Sequence, residues 1–297
     1  MNSMSGALKS LLRDHARTFS LTLNILPPFL REPLGVAYLL ARTSDTLADA
    51  GNLARKRRIS MLEELAGSLD RGDFLSWNPK VQRGELSESE EELITAIPLL
   101  LGALKELRDR EEVLRLWRTI LEGQLFDLHR FSVEGDSQRP LTREELQRYC
   151  YLVAGSVGES WTRLLARHAS NIMMKSPEEM IPLGAAYGKG LQLVNILRDR
   201  SADRAIGRIY VRNEDRAELF ELAESWLEEG RKYLRQLRSG RVRYASGLPL
   251  ELAFGTLEKI RSCPGVDRVK LPRIKVYAIL FGNLPSLWLP RLSNPAS

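Results

Sequence analysis

Apolar residues recur at helical spacing along almost the whole chain, and few segments alternate between apolar and polar residues with a period of two. Three helix starts place Ser or Thr three residues before Glu, so that hydroxyl and carboxylate can each satisfy a backbone N–H: Ser87 with Glu90, Thr142 with Glu145, and Ser176 with Glu179. We therefore predict an all-α protein. The expected helices lie at about 4–16, 31–50, 52–70, 88–108, 110–131, 142–169, 177–204, 214–239, 247–262 and 270–288, with Pro98 kinking or splitting the fourth.

The interruptions between these helices are short and contain no low-complexity sequence. They fall at 27–28, 72–84, 135–140 and 238–249. A chain of 297 residues, 43% of them hydrophobic, is long enough to bury a sizeable core. The simplest interpretation is a single domain over 1–297, with a core at about 10–275 and a C-terminal apolar helix at 270–290. The sequence does not fix the oligomeric state, and a monomer is favoured.

The charge balance is mildly basic, with 44 Lys and Arg against 38 Asp and Glu and a formal charge of +6. Such an excess suits nucleic acid, an anionic membrane surface or a phosphorylated substrate. Because the excess is spread along the chain, it selects none of these, and we expect no nucleic-acid partner. The two cysteines, Cys150 and Cys263, cannot form a disulfide framework or a Cys-rich zinc site.

Two features bear on localisation. The first nine residues lack the apolar run of a signal peptide, so we expect a cytoplasmic protein. No stretch of about 20 apolar residues is present, and the nearest candidate, 276–290, is interrupted by Asn283 and Pro285. We predict a core helix there, with peripheral membrane contact as the alternative.

Two helices carry acidic residues on otherwise apolar surfaces. The first half of 34–49 is apolar all round, as in a buried helix. At about 100° per residue, its polar side chains Arg42, Asp45 and Asp49 fall within a sector of roughly 60°.

The segment 191–203 repeats this arrangement. Its polar stripe covers roughly 80° of the helix, with apolar residues around the rest, and consists of Gln192, Asn195, Asp199 and Asp203. Burying unpaired carboxylates is costly, so both stripes require counter-charge. If the stripes face one another, four carboxylates meet across a cavity. Oxygen ligands of this kind suit Mg²⁺, which takes one or two carboxylates together with substrate phosphates. The alternative is that the aspartates are solvated helix ends paired with neighbouring arginines: Arg42, Arg198, Arg200 and Arg204.

Several sequence blocks together resemble the squalene/phytoene synthase family, the head-to-head prenyl-diphosphate synthases. The similarity covers about 13–275. It rests on His15-Ala16-Arg17-Thr18-Phe19-Ser20, Tyr38 to Asp49, Glu122-Gly123-Gln124-Leu125-Phe126-Asp127-Leu128, Tyr149 to Gly158, Leu191 to Asp203, and Gly207-Arg208-Ile209-Tyr210. The resemblance implies an isoprenoid-synthase fold, a single helical bundle around a central cavity with the two Asp motifs on opposite walls.

The resemblance also implies roles for individual residues. The metal ligands would be Asp45, Asp49, Asn195, Asp199 and Asp203, which would hold Mg²⁺ ions bridging two substrate diphosphates. Arg42 and Tyr38 join the aspartates as catalytic residues. The remaining substrate-binding positions are His15, Arg17, Phe19, Gln192, Arg198, Arg208 and Tyr210.

The implied reaction is the Mg²⁺-dependent 1′–1 joining of two prenyl diphosphates. Two farnesyl diphosphates giving presqualene diphosphate and squalene are favoured, and squalene formation would add NADPH as a cofactor. Alternatives are a phytoene synthase using geranylgeranyl diphosphate, a C30 dehydrosqualene synthase, a single-substrate terpene cyclase or chain-elongating synthase, and a non-enzymatic helical assembly factor. Retention of all four aspartates argues against the assembly factor.

Some positions depart from the family pattern or stay open. Ala202 stands where members commonly have an acidic residue, which leaves the number of Mg²⁺ ions undecided. Small residues at 154, 155 and 158 serve either isoprenoid tails or close helix packing. Cys150 is expected to be a core residue, and the basic run at 268–275 to contact phosphate or solvent.

Overall fold

The computed structural model describes residues 5–16, 22–82, 84–131, 139–212, 215–238 and 240–262. These ranges contain helices and no strand, only an isolated bridge between Met173 and Leu237, so the all-α prediction is confirmed. The chain forms two compact units. The N-terminal unit comprises Met1–Leu23 and Pro28–Arg139, and the C-terminal unit comprises Asn24–Pro27 and Pro140–Ser297. The single-domain assignment stays a prediction.

The N-terminal unit is built around one long helix, α2. Its helices are α1 Gly6–His15, α2 Pro28–Asp49, α3 Arg55–Arg71, α4 Glu88–Thr95, α5 Ile97–Glu106 and α6 Arg110–Arg130. Helix α2 packs chiefly on α6, and Leu39 and Leu47 of α2 and Trp117 of α6 are almost completely buried. Removing such apolar area from water is the main stabilising contribution of this unit.

The C-terminal unit is built around α9, the longest helix described. Its elements are α7 Arg143–Cys150, a π-helical turn Tyr151–Gly155, α8 Ser156–Ala169, α9 Pro177–Ala205, α10 Arg216–Arg235 and α11 Arg241–Ser262. Helix α9 packs on α10, on α8 with the π-helical turn, and on α11. This central position explains why much of α9 has apolar residues on several faces.

The local helix signals are confirmed. All three capping boxes form, at the starts of α4, α7 and α9. The helix predicted at 88–108 is split next to Pro98, as expected, because α4 ends at Thr95 and α5 begins at Ile97. Among the described residues, no helix is both long and apolar enough to cross a membrane. The predicted helix at 270–290 and the basic run at 268–275 lie outside the described residues.

The predicted break at 238–249 is wrong over most of its length. Helix α11 begins at Arg241 and continues through Pro249. A proline inside a helix frees backbone groups that would otherwise be bonded. The Tyr187 hydroxyl braces the turn that contains this proline, because it donates to the carbonyl oxygen of Ser246 at 2.8 Å and is hydrogen-bonded to the backbone of Leu250. A tertiary contact thus sustains a helix that local sequence rules interrupt.

Close helix packing accounts for the glycines of the π-helical turn and α8. A Cβ atom on Gly158 would lie 2.0 Å from the carbonyl oxygen of Gly184 in α9, and one on Gly188 would lie 2.1 Å from that of Ala154. Real Cβ atoms essentially never come that close. Of the two interpretations offered for these small residues, packing is the one that the contacts require. Cys150 is fully buried, as expected of a core residue.

Candidate active site

The polar stripe of α2 is the part of that helix left uncovered. From Pro33 to Ala50 only five residues are not buried, and they lie on one face at successive turns: Tyr38, Ala41, Arg42, Asp45 and Asp49. Tyr38 therefore shares the face of the acidic residues. The helix buries its apolar surface and exposes its polar stripe, which gives the carboxylates access to solvent and ligands.

The first acidic pair is balanced by a neighbouring guanidinium. Arg42 Nη1 donates to Asp45 Oδ2 at 2.7 Å, an i,i+3 pair in which both side chains are about 40% exposed. At such exposure the ion pair adds little to stability. Arg42 can instead bind a phosphate, because a guanidinium recognises carboxylate and phosphate with the same geometry.

The backbone behind this stripe is fixed by buried polar contacts. Trp117 Nε1 donates to Ser44 Oγ at 3.4 Å, and Gln124 Nε2 donates to the carbonyl oxygen of Ala41 at 3.3 Å. Both donors lie on α6. The stripe is therefore carried by a helix with little freedom to rotate, as a binding site requires.

Tyr38 connects the stripe to the first sequence block. Its hydroxyl donates to the carbonyl oxygen of His15 at 2.9 Å. The His15 imidazole is buried, and its Nε2 lies 3.0 Å from Glu92 Oε2 of α4. His15 is thus held by a carboxylate that sequence spacing could not reveal, since the two residues are 77 positions apart. Arg17 and Phe19 lie outside the described residues.

The stripe of α9 is likewise the open part of a buried helix. Leu193, Val194, Ile196 and Leu197 are buried, whereas Gln192 and Asn195 are partly exposed. Asp199 and Asp203 continue that face one and two turns later and are also partly exposed.

A bidentate pair balances the second acidic motif. Arg198 donates to both carboxylate oxygens of Asp199, at 3.0 and 2.5 Å, and both side chains are about one-third exposed. The hydrogen bond to Asp199 raises the pKa of Arg198, and the charges of Asp199 and Asp203 act in the same direction. The guanidinium of Arg198 therefore stays charged across the physiological range.

Arg208 and Tyr210 follow α9 directly. The amide of Arg208 donates to the carbonyl oxygen of Asp203 at 2.8 Å, across Gly207 at φ +81°. Arg208 also lines a small cavity beside Asp203. Tyr210 is buried, and its hydroxyl lies 3.2 Å from that of Tyr149 with the rings stacked. Tyr210 thus shapes the loop that holds Arg208, a contact that the sequence analysis did not anticipate.

The donor chemistry of both stripes fits Mg²⁺, because it consists of carboxylate and amide oxygens with no thiolate or imidazole. In the described part of the chain, no three His, Cys, Asp or Glu residues form a group disposed to hold a metal ion. Each compact unit contributes two of the four motif aspartates.

Comparison with known proteins relates the chain to one family. A family model described as squalene/phytoene synthase matches residues 12–218. Relatives include a probable squalene synthase of Neurospora crassa, 28% identical over 190 residues, and phytoene synthase 3, chloroplastic, of Zea mays, 29% identical over 223 residues. The alignments cover 63% and 74% of this chain but 38% and 45% of the relatives, so the chain spans less than half the length of either.

A crystal structure of a dehydrosqualene synthase in complex with ligand has a similar fold. Its TM-score is 0.64 at 21% identity, with 93% of each chain covered. The fold is therefore that of the all-α isoprenoid synthases. Because the family model matches more than half of the chain, the protein belongs to the squalene/phytoene synthase family.

Proposed function

We propose that the protein catalyses the Mg²⁺-dependent 1′–1 condensation of two prenyl diphosphates, with two farnesyl diphosphates as substrates and presqualene diphosphate and then squalene as products. The family match carries this proposal, because it spans 12–218 and so includes both acidic motifs. The relatives carry squalene synthase and phytoene synthase names alike, so the substrate length is part of the proposal.

The two acidic stripes have the composition that a diphosphate site needs. We assign Asp45, Asp49, Asp199 and Asp203 to metal binding, with Asn195 as a further oxygen ligand. When bound, Mg²⁺ would neutralise the charge that develops on the leaving diphosphate. Both pairs are assigned to the same reaction because neither stripe alone supplies more than two carboxylates.

The arginines and Tyr38 complete the assignment. Arg42 and Arg198 each hold an aspartate of the motif, so they can turn to a diphosphate oxygen when the metal takes the carboxylate. Tyr38 lies on the same face of α2 with its hydroxyl engaged by His15. Its ring can then stabilise an allylic carbocation through its π-face while adding no free nucleophile.

Product analysis tests the reaction. The full chain is incubated with farnesyl or geranylgeranyl diphosphate, with and without NADPH, and pyrophosphate release and extracted hydrocarbons are measured, the latter by mass spectrometry. The proposal expects pyrophosphate from farnesyl diphosphate with Mg²⁺ present, and squalene only with NADPH. Phytoene from the C20 substrate would support the phytoene alternative, and release from neither substrate would refute the enzyme assignment.

Substitutions separate an enzyme from an assembly factor. Asp45→Asn and Asp199→Asn remove one charge from each stripe at constant size. Each is expected to lower kcat by about 10²-fold or more, the scale of losing one main charge-stabilising group, while the melting curve stays unchanged. Asp70→Asn, at a side chain 78% exposed on α3, is the matched control and should keep full activity. An assembly factor would tolerate all three changes.

A further inference from the structure

We propose that Trp161 determines the length of the isoprenoid tail and selects a C15 over a C20 substrate. This inference rests on the proposed function and adds the residue that limits how long a substrate tail can bind. No family motif quoted above includes Trp161, which lies in α8 just beyond the block that ends at Gly158.

Trp161 belongs to an apolar face of α8 that is only partly buried. Leu164 and Leu165 of the same helix are 2% and 0% exposed, whereas Val157 and Trp161, one turn apart, are only partly buried. Residues four apart lie on one face of a helix. A partly open apolar face of this kind is suited to contact an apolar ligand.

The hydrogen bonding of the Trp161 indole indicates that its size matters more than its N–H group. Its N–H is buried and meets no acceptor among the described residues, whereas the N–H of Trp117 reaches Ser44. Tryptophan usually finds a partner for this group when buried, and leaving it unpaired costs about 1–3 kcal/mol. A smaller apolar residue would avoid that cost, so the large ring points to a steric role.

The register of α8 against α9 fixes the position of Trp161 relative to the acidic stripe. Gly158 opposes Gly184 and Ala154 opposes Gly188, so the two helices are antiparallel. Trp161 is consequently level with Ile181, which is 18 residues before Asp199. At about 1.5 Å per residue, the Cα atoms of Trp161 and Asp199 are about 27 Å apart along the helix axis.

This spacing matches a C15 tail. Helical side chains tilt toward the N-terminus of their own helix. Because α8 and α9 are antiparallel, the indole of Trp161 and the carboxylate of Asp199 tilt toward each other. The distance between these two groups is therefore shorter than that between their Cα atoms, roughly 20 Å. An extended isoprene unit adds four bonds, about 5 Å. A diphosphate bound at Asp199 is about 5 Å long, so the diphosphate and three isoprene units together fill the roughly 20 Å between carboxylate and indole. A fourth isoprene unit would overlap the indole. Because the backbones of Gly158 and Gly184 are in contact, the tail has to run beside the two helices, along the face of α8 that holds Val157 and Trp161.

Binding of unreactive analogues tests the inference independently of turnover. Farnesyl and geranylgeranyl thiolodiphosphates are titrated into the full chain with Mg²⁺, and the ratio of their Kd values is compared between variants. Wild type is expected to prefer the C15 analogue. Trp161→Ala should tighten the C20 analogue by about tenfold relative to the C15 analogue, the scale of a pocket gaining room for added carbon atoms. Trp161→Phe keeps most of the bulk and should keep the preference.

Trp77 provides the matched control, because its indole N–H is also buried without an acceptor among the described residues. Trp77→Ala removes the same atoms as Trp161→Ala and should leave the Kd ratio unchanged. An unchanged ratio in Trp161→Ala, or binding of neither analogue to wild type, would overturn the inference. Pyrophosphate release measured in parallel reports on the proposed function separately. Release together with an unchanged ratio would remove the role of Trp161 and leave the reaction intact.

Discussion

The contact between Gly158 and Gly184 allows a quantitative prediction for Gly158→Ala. The added Cβ would lie 2.0 Å from the carbonyl oxygen and 2.6 Å from the carbonyl carbon of Gly184. Both opposing atoms are backbone atoms of α9, so no side chain can rotate away. The helices must separate by about 1 Å to restore a contact of about 3 Å, in a core packed as densely as a crystal.

The expected cost is the difference between two effects. Overpacking a well-filled interior costs about 1–3 kcal/mol, or more where backbone must move. Replacing glycine by alanine inside a helix recovers about 1 kcal/mol of conformational entropy. Since the clash here is with backbone, we place overpacking at about 3 kcal/mol and expect the free energy of unfolding to fall by about 2 kcal/mol.

Urea denaturation followed by circular dichroism measures this difference, with Gly102→Ala as the matched control. Gly102 is also inside a helix, α5, but a Cβ there meets nothing within 4 Å. The control should gain about 0.5–1 kcal/mol. If Gly158→Ala were as stable as wild type, the proposed close contact of α8 and α9, and with it the register used for Trp161, would be wrong.

Three further changes test other parts of the structure. Thr142→Ala removes the N-cap of α7 and should cost about 1 kcal/mol of stability in the same urea assay; no loss would refute the capping box. Burial raises the pKa of the Cys150 thiol to about 12, so at pH 8 the native thiol stays protonated. Its alkylation by iodoacetamide, read by peptide mass mapping, should be at least about 100-fold slower than in the denatured chain, and equal rates would contradict its burial. Tyr187→Phe leaves the Ser246 carbonyl and the Leu250 backbone without their shared partner and should cost about 2 kcal/mol, whereas an unchanged urea midpoint would show that α11 passes Pro249 without this hydroxyl.

Much of the candidate site follows from sequence spacing. Helical periodicity places Arg42, Asp45 and Asp49 on one face, and the structure leaves that face uncovered while burying the rest of the helix. The same holds for Gln192 and Asn195 in α9. These predictions succeed because helical geometry is local, so the relative positions of side chains on one helix follow from residue numbers alone.

Contacts between distant residues could not be predicted in this way. The pairing of His15 with Glu92 and of Tyr149 with Tyr210 depends on how separate helices pack. A single sequence contains no spacing rule for such pairs. The role of Gly158 stayed open for the same reason, since a glycine suits equally a ligand or a neighbouring backbone until the opposing atom is known.

The sequence by itself determined the helical class, the capped helix starts and the composition of the two acidic stripes, because each depends on interactions within a few residues of the chain. Only the tertiary structure decided that α11 continues through Pro249, that α8 and α9 meet backbone to backbone, and that Trp161 lies level with Ile181. Each of these features depends on contacts with another helix. Such contacts can form hydrogen bonds to backbone groups or fill space between helices, and neither effect follows from the local sequence.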